Sequence, residues 1–87
     1  MVNKFLLKEF GDRIRSLRTK EKLSQEQLSF KTGFHRTYIG MIERGERNIS
    51  LTNIAVFAKA FNLTIDELIK FENSKDLFIK YKLKGNV

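Results

Sequence analysis

The stretch from Ser24 to Arg44, SQEQLSFKTGFHRTYIGMIER, predicts two short helices joined by a tight turn. Ser24 carries a hydroxyl that can cap a helix N-terminus, and Gln27 follows at the spacing of a capping box. Leu28 supplies the apolar residue that buries this helix. Gly33 can adopt the positive φ that ends many helices. We therefore predict a helix that begins after Ser24 and ends at Gly33.

A second helix is predicted to begin near His35 or Arg36. Ile39 and Ile42 lie on one face of this helix, which is its buried face. Two short helices joined by a glycine-containing turn form a helix-turn-helix motif. Four residues are expected to lie off the buried face, where a DNA groove would lie: Arg36, Thr37, Gly40 and Met41.

The composition is that of a small, basic globular domain. The chain has 87 residues, of which 41% are hydrophobic and 31% are charged, and these values are typical of a single folded domain. The 17 lysines and arginines exceed the 10 acidic residues, which gives a net charge of +7. So basic a domain favours a polyanionic partner, although a soluble protein that is simply basic remains the alternative.

Several function classes are disfavoured. The sequence has no cysteine and one histidine, His35, so it lacks thiolate metal sites and a histidine cluster. No paired carboxylates or nucleophile–base arrangement supports catalysis. We therefore predict that the protein is not an enzyme and that it uses no cofactor, metal or small-molecule ligand. No signal peptide or apolar run of ~20 residues is present, so a soluble, cytoplasmic protein, bacterial or phage-encoded, is expected.

The first helix is predicted to run roughly from Asn3 to Lys20. Gly11 lies inside this helix and is expected to mark close packing against a neighbouring element. Its apolar residues recur at helical spacing: Leu6, Phe10, Ile14 and Leu17.

Two more helices are predicted after the motif, with Gly45 ending the motif's second helix. The fourth helix is capped by Ser50 and runs to about Phe61, where Asn62 can end it in the left-handed conformation. The fifth is capped by Thr64, with Glu67 at the capping-box position.

The last part of the sequence has a different pattern. Leu77, Ile79, Tyr81 and Leu83 alternate with lysines, which is typical of a strand. A frayed helix with a basic tail fits the same residues equally well. We predict a DNA-binding domain at 1–71 and a C-terminal extension at 72–87 that contributes to dimerisation.

From about Phe10 to Ile69, the sequence resembles the Cro/CI-like (XRE) helix-turn-helix family, which includes the lambda-like phage repressors. The resemblance is carried by SQEQL and TGFHRTYIGMIERG in the motif and by SLTNIAVFAKAFNLTIDEL after it. It implies an all-α fold, a five-helix lambda repressor-like DNA-binding domain. The short chain with RTYI and ERGERN is similar to controller proteins of restriction-modification systems, although small phage and chromosomal repressors share much of this pattern.

The resemblance also implies roles for individual residues. Arg36, Thr37 and Met41 fall at positions that contact bases, and Gln25 falls at a phosphate-contacting position. Glycine at Gly40 departs from the family, where a polar residue is common. Three residues fall at positions that touch the DNA backbone: Tyr38, Arg47 and Asn48. The pair that ties the first helix to the third falls at Arg18 and Glu43.

The chemistry of these residues leaves alternatives open. Arg36 can donate two hydrogen bonds to guanine, or it can be solvated. Thr37 fits a thymine methyl, a phosphate or a capping role, and Tyr38 fits a phosphate or packing against the first motif helix. Met41 fits a thymine methyl or a covering position over the core. His35 is expected at the helix boundary, with a phosphate contact as the second choice.

A homodimer is expected because one recognition helix contacts only a few base pairs. Val56, Ile65 and Ile69 do not fit one inward face, so we predict a two-fold interface through the fourth and fifth helices. The expected function is a sequence-specific regulator of transcription on a pseudo-palindromic operator, with RNA polymerase as a partner if it activates. The alternative is an antitoxin-like or other protein-interaction module in which the Leu77–Leu83 segment wraps a foreign partner.

Overall fold

A computed structural model describes residues 3–71 of the chain. These residues form five α-helices and no strand: α1 Lys4–Lys20, α2 Gln25–Thr32, α3 Arg36–Glu43, α4 Leu51–Ala60 and α5 Ile65–Leu68. The predicted all-α class, with the helix-turn-helix at α2 and α3, is therefore confirmed. The predictions for the extension at 72–87 lie outside the described residues. Within 3–71, no helix combines the length and apolarity needed to cross a membrane.

Side chains at the helix N-termini explain where the helices begin. Ser24 and Thr64 each form the predicted capping box. The cap hydroxyl accepts a hydrogen bond from the backbone N–H three residues on, and the side chain of that residue, Gln27 or Glu67, accepts one from the backbone N–H of the cap. Gly33 ends α2 with a φ of 81°, and Asn62 follows α4 with a φ of 56°. Both left-handed positions were predicted from residue type. The N-caps of the five helices are Asn3, Ser24, His35, Ser50 and Thr64.

The core contains Phe57 of α4 and the side chains that pack around it. Phe57 is fully buried, and its ring lies 6.3 Å from that of Phe10 and 5.2 Å from that of Phe34, measured between centroids. The buried apolar residues are Phe10, Ile14, Leu28, Ile39, Ile42, Phe57, Ala58, Phe61 and Leu68. This core holds all five helices because each of them contributes at least one of these side chains.

The predicted apolar stripe of α1 was wrong at Leu6. It was expected in the core, but it is 42% exposed. The reason is its place in the first turns of α1, where it lines a groove with Ile69 and Phe71 instead of packing beneath α3. The lower part of the stripe, Phe10 and Ile14, is buried as expected.

Gly11 allows the backbones of α1 and α3 to meet. A Cβ atom at this position would lie 2.4 Å from the carbonyl oxygen of Ile42 and 2.6 Å from that of Glu43. These oxygens belong to the backbone of α3, so making room for a Cβ atom would require the helix itself to shift. The predicted close packing is therefore confirmed, and it sets the position of α3 against the longest helix of the domain.

Candidate nucleic-acid interface

The N-terminus of α3 is capped by His35. Its Nδ1 accepts a hydrogen bond from the backbone N–H of Thr37 at 3.0 Å, so the capping ring carries its hydrogen on Nε2. Nε2–H is then a donor at the exposed end of the helix. The predicted boundary position of His35 is confirmed, and its contact with phosphate stays a prediction.

The first turn of α3 exposes Arg36 and Thr37. Among residues 3–71, the Arg36 side chain has no hydrogen-bond or ion-pair partner. No side chain or carbonyl group of residues 3–71 therefore occupies the donors of its planar guanidinium. Met41, one turn further along, is half-buried, so only part of its side chain is available to a ligand.

Tyr38 is half-buried and is held from three sides. Its ring packs edge-to-face on Phe34, with centroids 5.0 Å apart. Its hydroxyl accepts a hydrogen bond from Asn53 Nδ2 at 3.0 Å, and the Arg47 guanidinium lies 5.6 Å from the ring centroid. These contacts lie with the turn after α2, with α4 and with the loop after α3, whereas the packing considered from the sequence was against the first motif helix. The hydroxyl hydrogen of Tyr38 remains able to donate to a phosphate.

Arg18 and Glu43 form a buried ion pair between α1 and α3. Arg18 Nε donates to Glu43 Oε2 at 2.6 Å, and Arg18 Nη2 donates to Oε1 at 3.0 Å. The hydrogen bond to Glu43 raises the pKa of Arg18, against the lowering effect of burial. A third donor, Nη1, binds the carbonyl oxygen of Leu23 at 2.8 Å. The predicted pair is present, and it also holds the turn that precedes α2.

Gln25 connects this ion pair to the outer surface. Its Nε2 donates to Glu43 Oε1 at 3.1 Å, which fixes the half-buried amide of Gln25 against α3. The predicted phosphate contact of Gln25 remains a prediction. Because Gln25 is the first residue of α2, the network orients the two helices of the motif relative to each other.

Gly40 was expected off the buried face of α3, but it is buried. A Cβ at this position would lie 3.3 Å from Gln25 Oε1 and 3.1 Å from Arg44 Nη1. These two side chains lie across the helix and cover the site that was expected to face a groove. A glycine at this position therefore allows the Gln25 side chain of the preceding helix to pack closely against α3.

The loop after α3 carries further polar groups. Arg47 and Asn48 are exposed; Arg47 lies beside Tyr38, whereas Asn48 lines the grooves next to α1. Arg44 forms an ion pair with Glu46 at 2.8 Å, and its hydrogen bond lowers the pKa of that glutamate. Arg36 and Arg47 are therefore the exposed cations near α3 without a carboxylate partner in residues 3–71.

The predicted dimer residues fall in different places. Ile65 is 38% exposed and Ile69 is 41% exposed, as an interface through α5 requires. Val56 is half-buried and lines another groove, with Lys31 and Lys59 between α2 and α4.

Sequence reasoning missed Leu51 and Phe30, which are 71% and 78% exposed. Leu51 lies three residues before Ile54 and seven before Ala58, so helical spacing groups it with the apolar residues of α4 and does not mark it as exposed. Sequence reasoning also missed Asn53, which donates a hydrogen bond to Tyr38. Nothing in the sequence indicated this contact. No group of three or more His, Cys, Asp or Glu side chains in the described part of the chain could hold a metal ion.

The geometry defines a helix-turn-helix protein: a capped α2, a glycine turn, and an α3 with an exposed N-terminal turn. A helix-turn-helix family model, HTH_3, matches residues 14–68. The chain belongs to this family, which confirms the resemblance stated from the sequence.

Similar proteins include restriction-modification control proteins. The chain is 43% identical to Control protein C.SmaI of Serratia marcescens over 66 residues, which covers 76% of this chain and 79% of that protein. It is 46% identical to Control protein C.BamHI of Bacillus amyloliquefaciens over 63 residues, which covers 71% and 78% of the two chains. The similarity to controller proteins expected from the sequence is confirmed.

Solved structures show the same fold. The controller protein C.AhdI from Aeromonas hydrophila matches with a TM-score of 0.68 and 50% identity, over 71% of this chain and 94% of that one. The controller protein C.Esp1396I, solved as a tetramer in complex with its natural 35 base-pair operator, matches with a TM-score of 0.69 and 27% identity. That match covers 85% of this chain and 96% of the other.

Proposed function

We propose that the protein is a sequence-specific transcriptional regulator that binds double-stranded DNA as a homodimer, as a controller protein of a restriction-modification system. The observation that carries this proposal is the exposed N-terminal turn of α3, on which Arg36 has no partner among residues 3–71. The similarity to C.SmaI and C.BamHI supports the controller class. The operator complex of C.Esp1396I supports DNA as the partner.

Base contacts are assigned to the outer side of α3. In helix-turn-helix proteins the N-terminal part of the second helix contacts base edges in the major groove. Arg36 supplies a planar donor pair that fits O6 and N7 of guanine, a contact worth ~1–3 kcal/mol of discrimination. Thr37 and the exposed part of Met41 supply methyl groups that fit a thymine methyl.

Phosphate contacts are assigned to the groups that flank α3. The guanidinium of Arg47 lies over the ring of Tyr38, so Arg47 and the Tyr38 hydroxyl are assigned to one stretch of DNA backbone. His35 offers Nε2–H at the start of the helix, Gln25 lies at the N-terminus of α2, and Asn48 lies in the loop after α3. Such contacts fix the position of the protein on the duplex without specifying sequence.

A homodimer would place two α3 helices in successive major grooves. Half-sites of such dimers lie about one helical turn apart, which explains why operators are pseudo-palindromic. Exposed apolar surface for the interface is supplied by Ile65 on α5, by Ile69 at its C-cap and by Leu51 at the start of α4. Val56 stays in the proposal as a second, smaller contact.

Regulation is proposed to work at the protein's own promoter, in the bacterial cytoplasm. If the protein activates transcription, RNA polymerase is a further partner. No catalytic function is proposed, because the relatives C.SmaI and C.BamHI are control proteins.

The proposal is tested with duplex DNA from upstream of the protein's own gene and a scrambled duplex of equal composition. Fluorescence anisotropy at near-physiological salt is expected to give an affinity ratio of at least about 10³. Affinity should also fall steeply as salt is added, because phosphate contacts release counterions. Equal affinities for the two duplexes would refute sequence-specific regulation.

Arg36→Ala tests the assigned base contact. It is expected to weaken specific binding by ~1–3 kcal/mol and binding to the scrambled duplex only slightly. Arg15→Ala is the matched control, since it removes an exposed arginine charge from α1 and not from α3. Equal losses on both duplexes would reduce Arg36 to a phosphate contact.

A further inference from the structure

Arg13 links α1 to α5 across the domain. Its Nε donates to the carbonyl oxygen of Leu68 at 3.0 Å, and its Nη2 donates to the carbonyl oxygen of Glu67 at 2.8 Å. These two carbonyls belong to the last residues of α5. A cation at the C-terminus of a helix satisfies free carbonyl groups and interacts favourably with the helix dipole.

The fifth helix depends on such external contacts. It has four residues, and helices much shorter than about 12 residues are marginal without tertiary packing. Leu68 is fully buried and anchors one side of α5, and the Thr64–Glu67 capping box closes its N-terminus. Arg13 supplies the contact at the opposite end, from a different helix.

Ile65 begins α5 and Ile69 is its C-cap, and these are the exposed residues assigned to the dimer interface. We propose that Arg13 is a positioning residue for dimerisation: it holds α5 against α1 and so sets the direction in which these two side chains leave the domain. This inference rests on the proposed homodimer. It adds that the relative orientation of the two recognition helices is fixed through a hydrogen-bonded contact on α1, outside the interface itself.

Planar geometry is the reason that arginine is needed. The guanidinium presents Nε–H and Nη2–H side by side, and they match two successive carbonyl oxygens. A lysine has one nitrogen and would satisfy them less completely. Arg13→Lys should therefore keep the charge but lose part of the positioning effect.

The test is sedimentation equilibrium of the full chain over a concentration series. Arg13→Ala is expected to raise the dimer dissociation constant about tenfold, which corresponds to about 1.4 kcal/mol, and Arg13→Lys should give a smaller increase. Arg15→Ala is the matched control, because the Arg15 side chain is exposed on the same helix and has no polar partner in residues 3–71. It should leave the constant unchanged.

A second control separates positioning from general stability. Ser24→Ala removes the cap of α2, away from α5, and a lost cap typically costs ~1 kcal/mol of stability. It should not change dimerisation. Binding of the monomer to a duplex with one half-site should also be unchanged in Arg13→Ala, because α3 is not altered.

The outcomes distinguish this inference from the function on which it rests. A wild-type protein that stays monomeric at all concentrations would refute the homodimer, and the role of Arg13 with it. A dimeric wild type with the same constant in Arg13→Ala would refute the role of Arg13 alone, as would an equal increase in Ser24→Ala. If circular dichroism shows that Arg13→Ala is unfolded, Arg13→Lys decides: a wild-type dissociation constant in that folded variant would refute the inference.

Discussion

Removing the Arg18 guanidinium is expected to destabilise the domain strongly. The side chain of Glu43 is 4% exposed and that of Arg18 is 12% exposed, with 2.6 Å between Nε and Oε2. Removing one partner of a buried ion pair costs about 3–5 kcal/mol, since the other charge is left buried. After Arg18→Ala, Glu43 would keep one hydrogen bond, from Gln25. We therefore expect about 3 kcal/mol, the lower end of that range.

That loss is large for a domain of this size. Stabilities of about 0.05–0.15 kcal/mol per residue are usual, so Arg18→Ala is expected to remove a substantial part of the total. The loss should also affect function, because the pair fixes α3 against α1 and holds Gln25. DNA affinity should fall even under conditions in which the variant is folded.

Urea denaturation followed by far-UV circular dichroism at 25 °C measures the effect. Lys8→Ala is the control: it breaks the ion pair with Asp12, in which both side chains are more than half exposed, and such pairs contribute about 0–1 kcal/mol. The double variant Arg18→Met, Glu43→Leu should be more stable than Arg18→Ala, because no unpaired charge remains. A loss in Arg18→Ala no larger than that in Lys8→Ala would refute the reasoning.

Two further predictions concern the packing of α1 and the cap of α5. Gly11→Ala should cost about 3 kcal/mol or more, because its Cβ would lie 2.4 Å from a carbonyl oxygen of Ile42; urea denaturation measures this. Hydrogen bonds from Thr64 lower the pKa of Glu67 below its ordinary 4.5. The stabilisation from Glu67 is therefore complete above pH 4.5, and it is lost as the pH falls through the lower pKa of the folded state. In Thr64→Ala the urea midpoint should therefore change less as the solution is acidified.

Each of these predictions has a contradicting result. For Gly11, the comparison is Ser16→Ala on the exposed side of α1; equal stability of the two variants would show that α1 and α3 separate without penalty. For the cap, an identical acid dependence in wild type and Thr64→Ala would show that the Thr64 hydroxyl contributes nothing to it, since the backbone N–H of residue 64 still binds Glu67 in the variant.

Local features of the fold were predictable because their causes lie in neighbouring residues. Ser24 and Gln27 form a capping box through side chains three residues apart, and Gly33 takes the positive φ that its missing side chain permits. Asn62 follows the same logic. The Arg18–Glu43 pair is different: its members are far apart in sequence, and the resemblance to a family indicated it, not the spacing.

Features that depend on a second element were not predictable. Gly40 is covered because the Gln25 side chain reaches over it from α2, and no period within α3 contains that information. Leu6 fits the helical stripe of α1, but it lines an open groove with Ile69 and Phe71 and stays 42% exposed. The contact between Arg13 and α5 joins backbone carbonyls to a side chain, so residue type alone does not reveal it.

The proposed base contacts of the first turn of α3 are tested most directly by selection of binding sites from a random duplex pool at near-physiological salt. A homodimeric regulator is predicted to enrich an inverted repeat whose half-sites lie about one helical turn, or ~10 bp, apart. Arg36→Ala should relax the selection at one position in each half-site. A pool that shows no enrichment, with binding that disappears when salt is added, would contradict sequence-specific recognition and leave only the general attraction of a basic protein for DNA.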